Sequence, residues 1–203
     1  MFRWRDVAIA SGGFFVLLAL VVYDLPHTLF RVDAFISRLA APLQTFESIQ
    51  FFLAVTAFGG GIGIIAVAIG LAYITRLSSA MLLRLTFLLA LVLVGNRLIK
   101  DLFVRARPDV LTWFDVLSSF SFPSAHASGA LALYGFVAVI WYRRTHKYSV
   151  LILPVLIILL VGLSRLVLNA HHFSDVIGGY LFGLLLLAVS FLIPFERLAK
   201  RYE

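Results

Sequence analysis

The sequence predicts an all-α protein: a bundle of six membrane-spanning helices, with a short amphipathic helix on the membrane surface between the first and second spans. Three observations predict it. First, 62% of the 203 residues are hydrophobic and only 13% are charged, whereas soluble domains carry about a quarter charged residues. So little polar surface cannot cover a globule in water. Second, apolar runs near the roughly 20 residues that a bilayer requires recur six times, over approximately 7–23, 48–74, 80–99, 126–142, 150–168 and 176–194. Third, many of the basic residues sit in the short segments between these runs. A single membrane-embedded domain, 1–203, accounts for the whole length.

Each run is expected to be helical, because a backbone in lipid must satisfy its own hydrogen bonds. The first is followed by Tyr23-Asp24-Leu25-Pro26-His27, which is not a small-residue cleavage site, so it reads as an uncleaved span. Between Asp24 and Glu47, Val32, Phe35, Leu39, Leu43 and Phe46 recur at helical spacing among Arg31, Asp33 and Arg38, the pattern of an interfacial helix. Span two contains Gly59-Gly60-Gly61-Ile62-Gly63, and span six opens with Gly178-Gly179 and Gly183. Both hold a small-xxx-small spacing and are read first as close helix packing; shaping of a substrate groove by Gly59–Gly61 is the lesser reading. The segment Lys100–Ala125, with Trp113 and Phe114 as aromatic anchors, fits an interfacial loop.

The net charge is +7. In a soluble protein this would suggest nucleic acid, but its distribution points to membrane orientation, and no nucleic-acid partner is expected. Arg3, Arg5, Arg76, Arg143, Arg144, Lys147, Arg197, Lys200 and Arg201 fall on one side of the six-span plan. The positive-inside rule places that side, with both termini, in the cytoplasm. The chain has no cysteine, which excludes disulfides and thiolate metal sites. Oligomeric state leaves no mark.

Ionisable side chains near membrane depth are costly and call for a function. The end of span three carries Arg97 and Lys100, followed by Arg105 and Arg107; span four opens with Pro123-Ser124-Ala125-His126; span five ends with Ser164-Arg165; and His171, His172 and Asp175 lead into span six. The six-span plan brings all of these to the outer face. Lys100, Arg107 and Arg165 suit a phosphate, which takes charge and several donors at once. Ser124 and the free N–H groups at the start of span four, including that of Ala125, would add donors. His171 and Asp175, four apart, share a helical face, so the carboxylate can fix the imidazole tautomer and leave its other nitrogen free to attack. His126, from a different helix, can stand opposite as general acid. The link Asn169-Ala170 must break the helix if Arg165 and His171 are both to face inward. Arg84, Arg97 and Arg105 are read as snorkelling interface residues, with a secondary substrate contact as a further reading of Arg105, and His172 receives no role.

These residues also form three motifs in order. Lys100 is followed after six residues by Arg107-Pro108; then comes Pro123-Ser124-Ala125-His126; then Ser164-Arg165 with His171 and Asp175. The set resembles the type-2 phosphatidic acid phosphatase superfamily, in its bacterial inner-membrane form. That resemblance implies His171 as a nucleophile forming a phosphohistidine, Asp175 as its orienter and His126 as general acid. It implies Lys100, Arg107, Ser124, Ala125 and Arg165 as the phosphate-binding set. It also implies an outward site, a lipid phosphate as substrate and no metal or other cofactor. The superfamily has glycine where this chain has Ala125, which puts the efficiency and substrate selection of the second motif in question. Three alternatives stay open: transfer of the phosphate to an acceptor other than water; a non-catalytic lipid-phosphate binder or transporter; and zinc held by His126, His171, His172 and Asp175, against which the neighbouring cations argue.

Overall fold

Apolar runs close their hydrogen bonds locally, and the described apolar runs are accordingly helical. The computed structural model describes residues 3–24, 26–108 and 119–199. Among the described residues nine α-helices follow one another: α1 (Trp4–Asp24), α2 (Pro26–Ala40), α3 (Phe46–Ala57), α4 (Gly61–Thr75), α5 (Ser79–Phe103), α6 (Ala125–Thr145), α7 (Ile152–Val167), α8 (Phe173–Leu192) and α9 (Phe195–Ala199). Among the described residues α1, α5, α6, α7 with the turn before it, and α8 are each long and apolar enough to cross a bilayer; the pair α3–α4, taken as one broken span, makes six. Trp113 and Phe114 lie outside the described residues.

Helix ends are set by local chemistry. Thr45, Ser78 and Ser124 cap α3, α5 and α6, each accepting a backbone N–H with its hydroxyl. α6 runs through the centre, where Leu133 and Phe136 pack with Leu88 of α5 and Val161 of α7. α8 lies against α6 and α1. A Cβ on Gly179 would come within 2.5 Å of the Ser124 carbonyl oxygen, and one on Gly183 within 2.5 Å of that of Ser128. These two glycines therefore set the α6–α8 distance, as the small-residue spacing predicts. Leu17, Ile65, Leu93, Leu98 and Leu156 face outward, an apolar surface suited to lipid rather than water.

Three expectations are corrected. Span two is not one helix over 48–74: it stops at Ala57, resumes at Gly61 and bends by 53°. Gly59 fits there because a Cβ would strike Val161 and the His126 backbone, the close helix packing read first from these glycines; Gly59 and Gly61 also line the cleft beside the break. The interfacial helix exists as α2, but it does not simply float on the surface. Its apolar residues Val32, Phe35 and Leu39 face outward while Asp33 is buried against α8. Arg84 does not snorkel. It is 2% exposed, donates to the Ser190 carbonyl, pairs with Glu196 at 2.8 Å and stacks on Phe191 and Phe195, tying α5 to α8 and α9.

Candidate active site

The C-terminal ends of α5 and α7 and the N-terminal ends of α6 and α8 meet at one end of the bundle. Their junction is made by backbone as much as by side chains. Ser124 N–H donates to the Asp175 carbonyl at 3.0 Å, fastening the start of α6 to the start of α8. Lys100, 5% exposed, donates from Nζ to the carbonyls of Phe120 and Ser121. It thus ties the end of α5 to the segment leading into α6.

The turn after α7 brings Arg165 and His171 inward together. Asn169 has a φ of 51°, Ala170 N–H reaches back to the Arg165 carbonyl at 3.0 Å, and Asn169 N–H to that of Leu166 at 3.0 Å. This is a Schellman termination with asparagine in the left-handed position, the helix break that the sequence requires at Asn169-Ala170. Arg165 is left 2% exposed and donates to Thr56 Oγ1 at 2.6 Å; His171 is 4% exposed.

His171 has two distinct environments. Its Nε2 lies 3.2 Å from Arg107 Nη1. A guanidinium can only donate, so Nε2 is the acceptor and the proton resides on Nδ1. That Nδ1–H points between Ser121 Oγ at 3.4 Å and Asp175 Oδ2 at 3.5 Å. Burial pushes the imidazole below its ordinary range, to about 3, against the opposing pull of Asp175. The ring is therefore neutral, with its lone pair on the side of the cations.

Asp175 is fully buried, and a buried carboxylate must be matched on every side. Oδ2 accepts from Ser121 Oγ at 2.5 Å and from His172 N–H at 2.8 Å. Oδ1 pairs with Arg105 Nη1 at 2.5 Å. Because His172 is the N-cap of α8 and Asp175 its third residue, the bond from His172 N–H is half of a capping box. His172 is thus a helix cap.

Arg107 is held by the carbonyls of Ser119 at 2.9 Å and Ala170 at 2.6 Å, which aims its guanidinium at His171. Ser124 is buried at the N-cap of α6 and Ala125 is the first residue of that helix. Ala125 is not among the residues of positive φ, so its methyl causes no backbone strain. His126 Nε2 would lie 3.5 Å from a Cβ on Gly60, at the break between α3 and α4. Lys100, Ala125 and His126 line the polar end of a cleft of about 680 Å³ that continues between α4 and α5 along Ile65, Ile69, Leu89 and Leu93. A charged head and an apolar tail would both find surface there.

The structure brings the predicted set together at one end of the bundle. Sequence reasoning missed Ser121, Thr56, Asp33 and the role of Arg105. Asp33 carries the one available signal: it falls on a helical stripe with Leu29, Ile36 and Ala40, away from the outward apolar stripe. Arg97, by contrast, is exposed and pairs with Asp101 at 2.9 Å, as its snorkelling reading implies. Among the described residues no three His, Cys, Asp or Glu side chains are placed to hold a metal ion.

Comparison with known proteins decides the family. The description of the PAP2 superfamily matches residues 81–199, more than half of the chain. The chain belongs to the PAP2 superfamily. It is 37% identical over 114 residues to phosphatidylglycerophosphatase B of Bacillus subtilis strain 168, covering 53% of this chain and 54% of that protein. A decaprenylphosphoryl-5-phosphoribose phosphatase of Mycobacterium tuberculosis is 39% identical over 89 residues, 42% of this chain and 46% of its own. The chain thus spans about half the length of these curated relatives. The crystal structure of a transmembrane PAP2-type phosphatidylglycerolphosphate phosphatase from Bacillus subtilis superposes over 97% of both chains, with a TM-score of 0.77 and 25% identity. Aquifex aeolicus LpxE shares the fold over 77% of this chain and 93% of its own, at a TM-score of 0.63 and 20% identity. With its apolar helices, this PAP2 member is an integral membrane protein.

Proposed function

We propose that this PAP2 protein is a lipid phosphatase that hydrolyses a phosphate or diphosphate ester of a membrane lipid through a phosphohistidine on His171. One observation carries the reading: a neutral His171, backed by Asp175 on Nδ1, offers Nε2 to the Arg107 guanidinium where a phosphate would sit. Nε2 attacks phosphorus as the P–O bond to the lipid breaks, and His126 gives its proton to the leaving oxygen. Water then attacks phosphorus, the N–P bond breaks, and His126 takes up the water proton. Lys100, Arg107 and Arg165, with Ser124 and the N–H groups at the start of α6, hold the phosphoryl oxygens, where charge accumulates. No step calls for a metal, and full turnover after exhaustive chelation is the expected result.

The cleft between α4 and α5 supports an amphiphilic substrate, with the head at Lys100 and His126 and the chains along Ile65, Ile69 and Leu93. The relatives act on phosphatidylglycerophosphate and decaprenylphosphoryl-5-phosphoribose, as named; phosphatidic acid, polyprenyl diphosphate and lipid A complete the panel to test. The distribution of basic residues favours cytoplasmic termini and a site on the outer face of a bacterial inner membrane. The deciding experiment measures phosphate release by the detergent-solubilised protein on this panel, with mass spectrometry of the lipid products. Wild type should release phosphate and form an acid-labile phosphoenzyme, and His171→Ala should do neither. Equal slow release by both would refute the enzyme; a phosphorylated acceptor in place of free phosphate would identify a transferase.

A further inference from the structure

The helix α2 is connected to the site by a side chain outside the three motifs. Asp33 is 5% exposed. Its Oδ1 accepts the Ser174 N–H at 2.8 Å and its Oδ2 accepts the Ser174 hydroxyl at 2.7 Å. Ser174 is the second residue of α8, whose N–H has no partner within its own helix. Asp33 is thus an N-cap supplied by another helix, with its charge at the positive end of the α8 dipole. The same Oδ2 pairs with Arg105 Nη2 at 2.8 Å, while Arg105 Nη1 reaches Ser174 Oγ at 2.8 Å and Asp175 Oδ1 at 2.5 Å.

Arg105 is therefore a planar bridge between two buried carboxylates. Its fork fixes both ends at once. Asp175 receives one nitrogen on Oδ1, which leaves Oδ2 turned toward Ser121, His172 N–H and His171. With Asp33 uncharged, the guanidinium would have a single carboxylate to satisfy and would move onto Asp175. That would draw the carboxylate away from the imidazole and neutralise it.

We propose that Asp33 is a positioning residue of the phosphohistidine reaction, holding Arg105 so that Asp175 stays directed at His171, and that α2 is accordingly part of the catalytic assembly. This rests on the reading of His171 as nucleophile. Asp33 bonds to Ser174 and Arg105 and is not among the residues lining the cleft, so its removal acts on turnover rather than on substrate binding.

The test is a double-mutant cycle in the full detergent-solubilised chain, with dioctanoyl phosphatidic acid as soluble probe, reading kcat and KM separately. Asp33→Asn is nearly isosteric and can still accept the Ser174 N–H, so it separates the charge from the cap. It should lower kcat roughly tenfold, in the range seen when the partner that orients an active-site ligand is removed, with KM unchanged. In an Asp175→Asn background the same change should cost little, because the group it acts through is already altered. Equal losses of kcat in both backgrounds would mean general loosening and would overturn the proposal, as would full turnover by Asp33→Asn. If Asp33→Asn melts early, Arg105→Lys, which keeps charge but loses the fork, is put through the same cycle with the same two outcomes. A wild type no faster than His171→Ala would refute the functional reading itself, a result distinct from any within the cycle.

Discussion

At the scale of single residues, the protonation of His171 is the feature on which the proposed chemistry turns. Burial holds its pKa near 3, whereas an unfolded histidine titrates near 6.5. The folded state therefore keeps the full contribution of the neutral ring above about pH 6.5 and loses it as pH falls from there toward 3. In histidine-selective 15N NMR, the His171 signals should stay those of the neutral Nδ1–H tautomer from pH 8 to 5; a midpoint near 6.5 would contradict the geometry. Ala125 gives a second prediction at this scale. Its backbone is already helical, so Ala125→Gly should leave phosphate release intact and cost at most roughly 0.5–1 kcal/mol of stability. A large gain in rate would mean that the methyl obstructs the phosphate after all.

At the scale of elements, glycine and asparagine place the helices that carry the site. Gly179→Leu would push into the Ser124 carbonyl and the Ala127 methyl, displacing the N-terminus of α6 from that of α8. Overpacking of this kind costs about 1–3 kcal/mol, and both thermal stability and activity should fall. The turn after α7 depends on Asn169 at φ 51°. Asn169→Gly should be tolerated, while Asn169→Val should cost about 1–2 kcal/mol, because a branched Cβ opposes the left-handed backbone; thermal unfolding in detergent reads both. The sequence showed this break directly, since Arg165 and His171 cannot both face inward on a continuous helix. It did not show the 53° bend in span two: glycines in an apolar run fit a straight or a broken helix alike, and the close approach of Val161 and His126 to Gly59 exists only in the packed bundle.

At the scale of the molecule, α4 and α5 leave between them a cleft lined by apolar side chains that ends at Lys100 and His126. Ala90 lines that cleft. Ala90→Trp should raise KM for long-chain lipid phosphates while sparing a short water-soluble phosphate ester; equal loss on both would place the tail elsewhere. The outward stripe of α2, with Phe35 and Leu39 exposed, would hold that helix in the interface while Asp33 fixes it to α8. The sequence pattern identified this stripe as the apolar one, and it is the exposed one. It gave no account of the opposite stripe, because a single aspartate in an interfacial helix looks like a solvated charge until its partner is known.

The sequence by itself determined the solvent, the helical class and the set of groups that could bind and transfer a phosphate. Run length and hydropathy answer to the bilayer alone, and the costs of burying Lys100, Arg165 and Asp175 single these residues out wherever they fall. Tertiary structure decided what each group does to the next: that Arg107 faces Nε2, that Ser121 and Arg105 share Asp175, and that Asp33 reaches the site from a helix far away in the chain. Those contacts join residues between 54 and 141 positions apart. Periodicity and motif spacing describe one helix at a time, whereas hydrogen-bond geometry across helices is fixed only once close packing has set the distances between them.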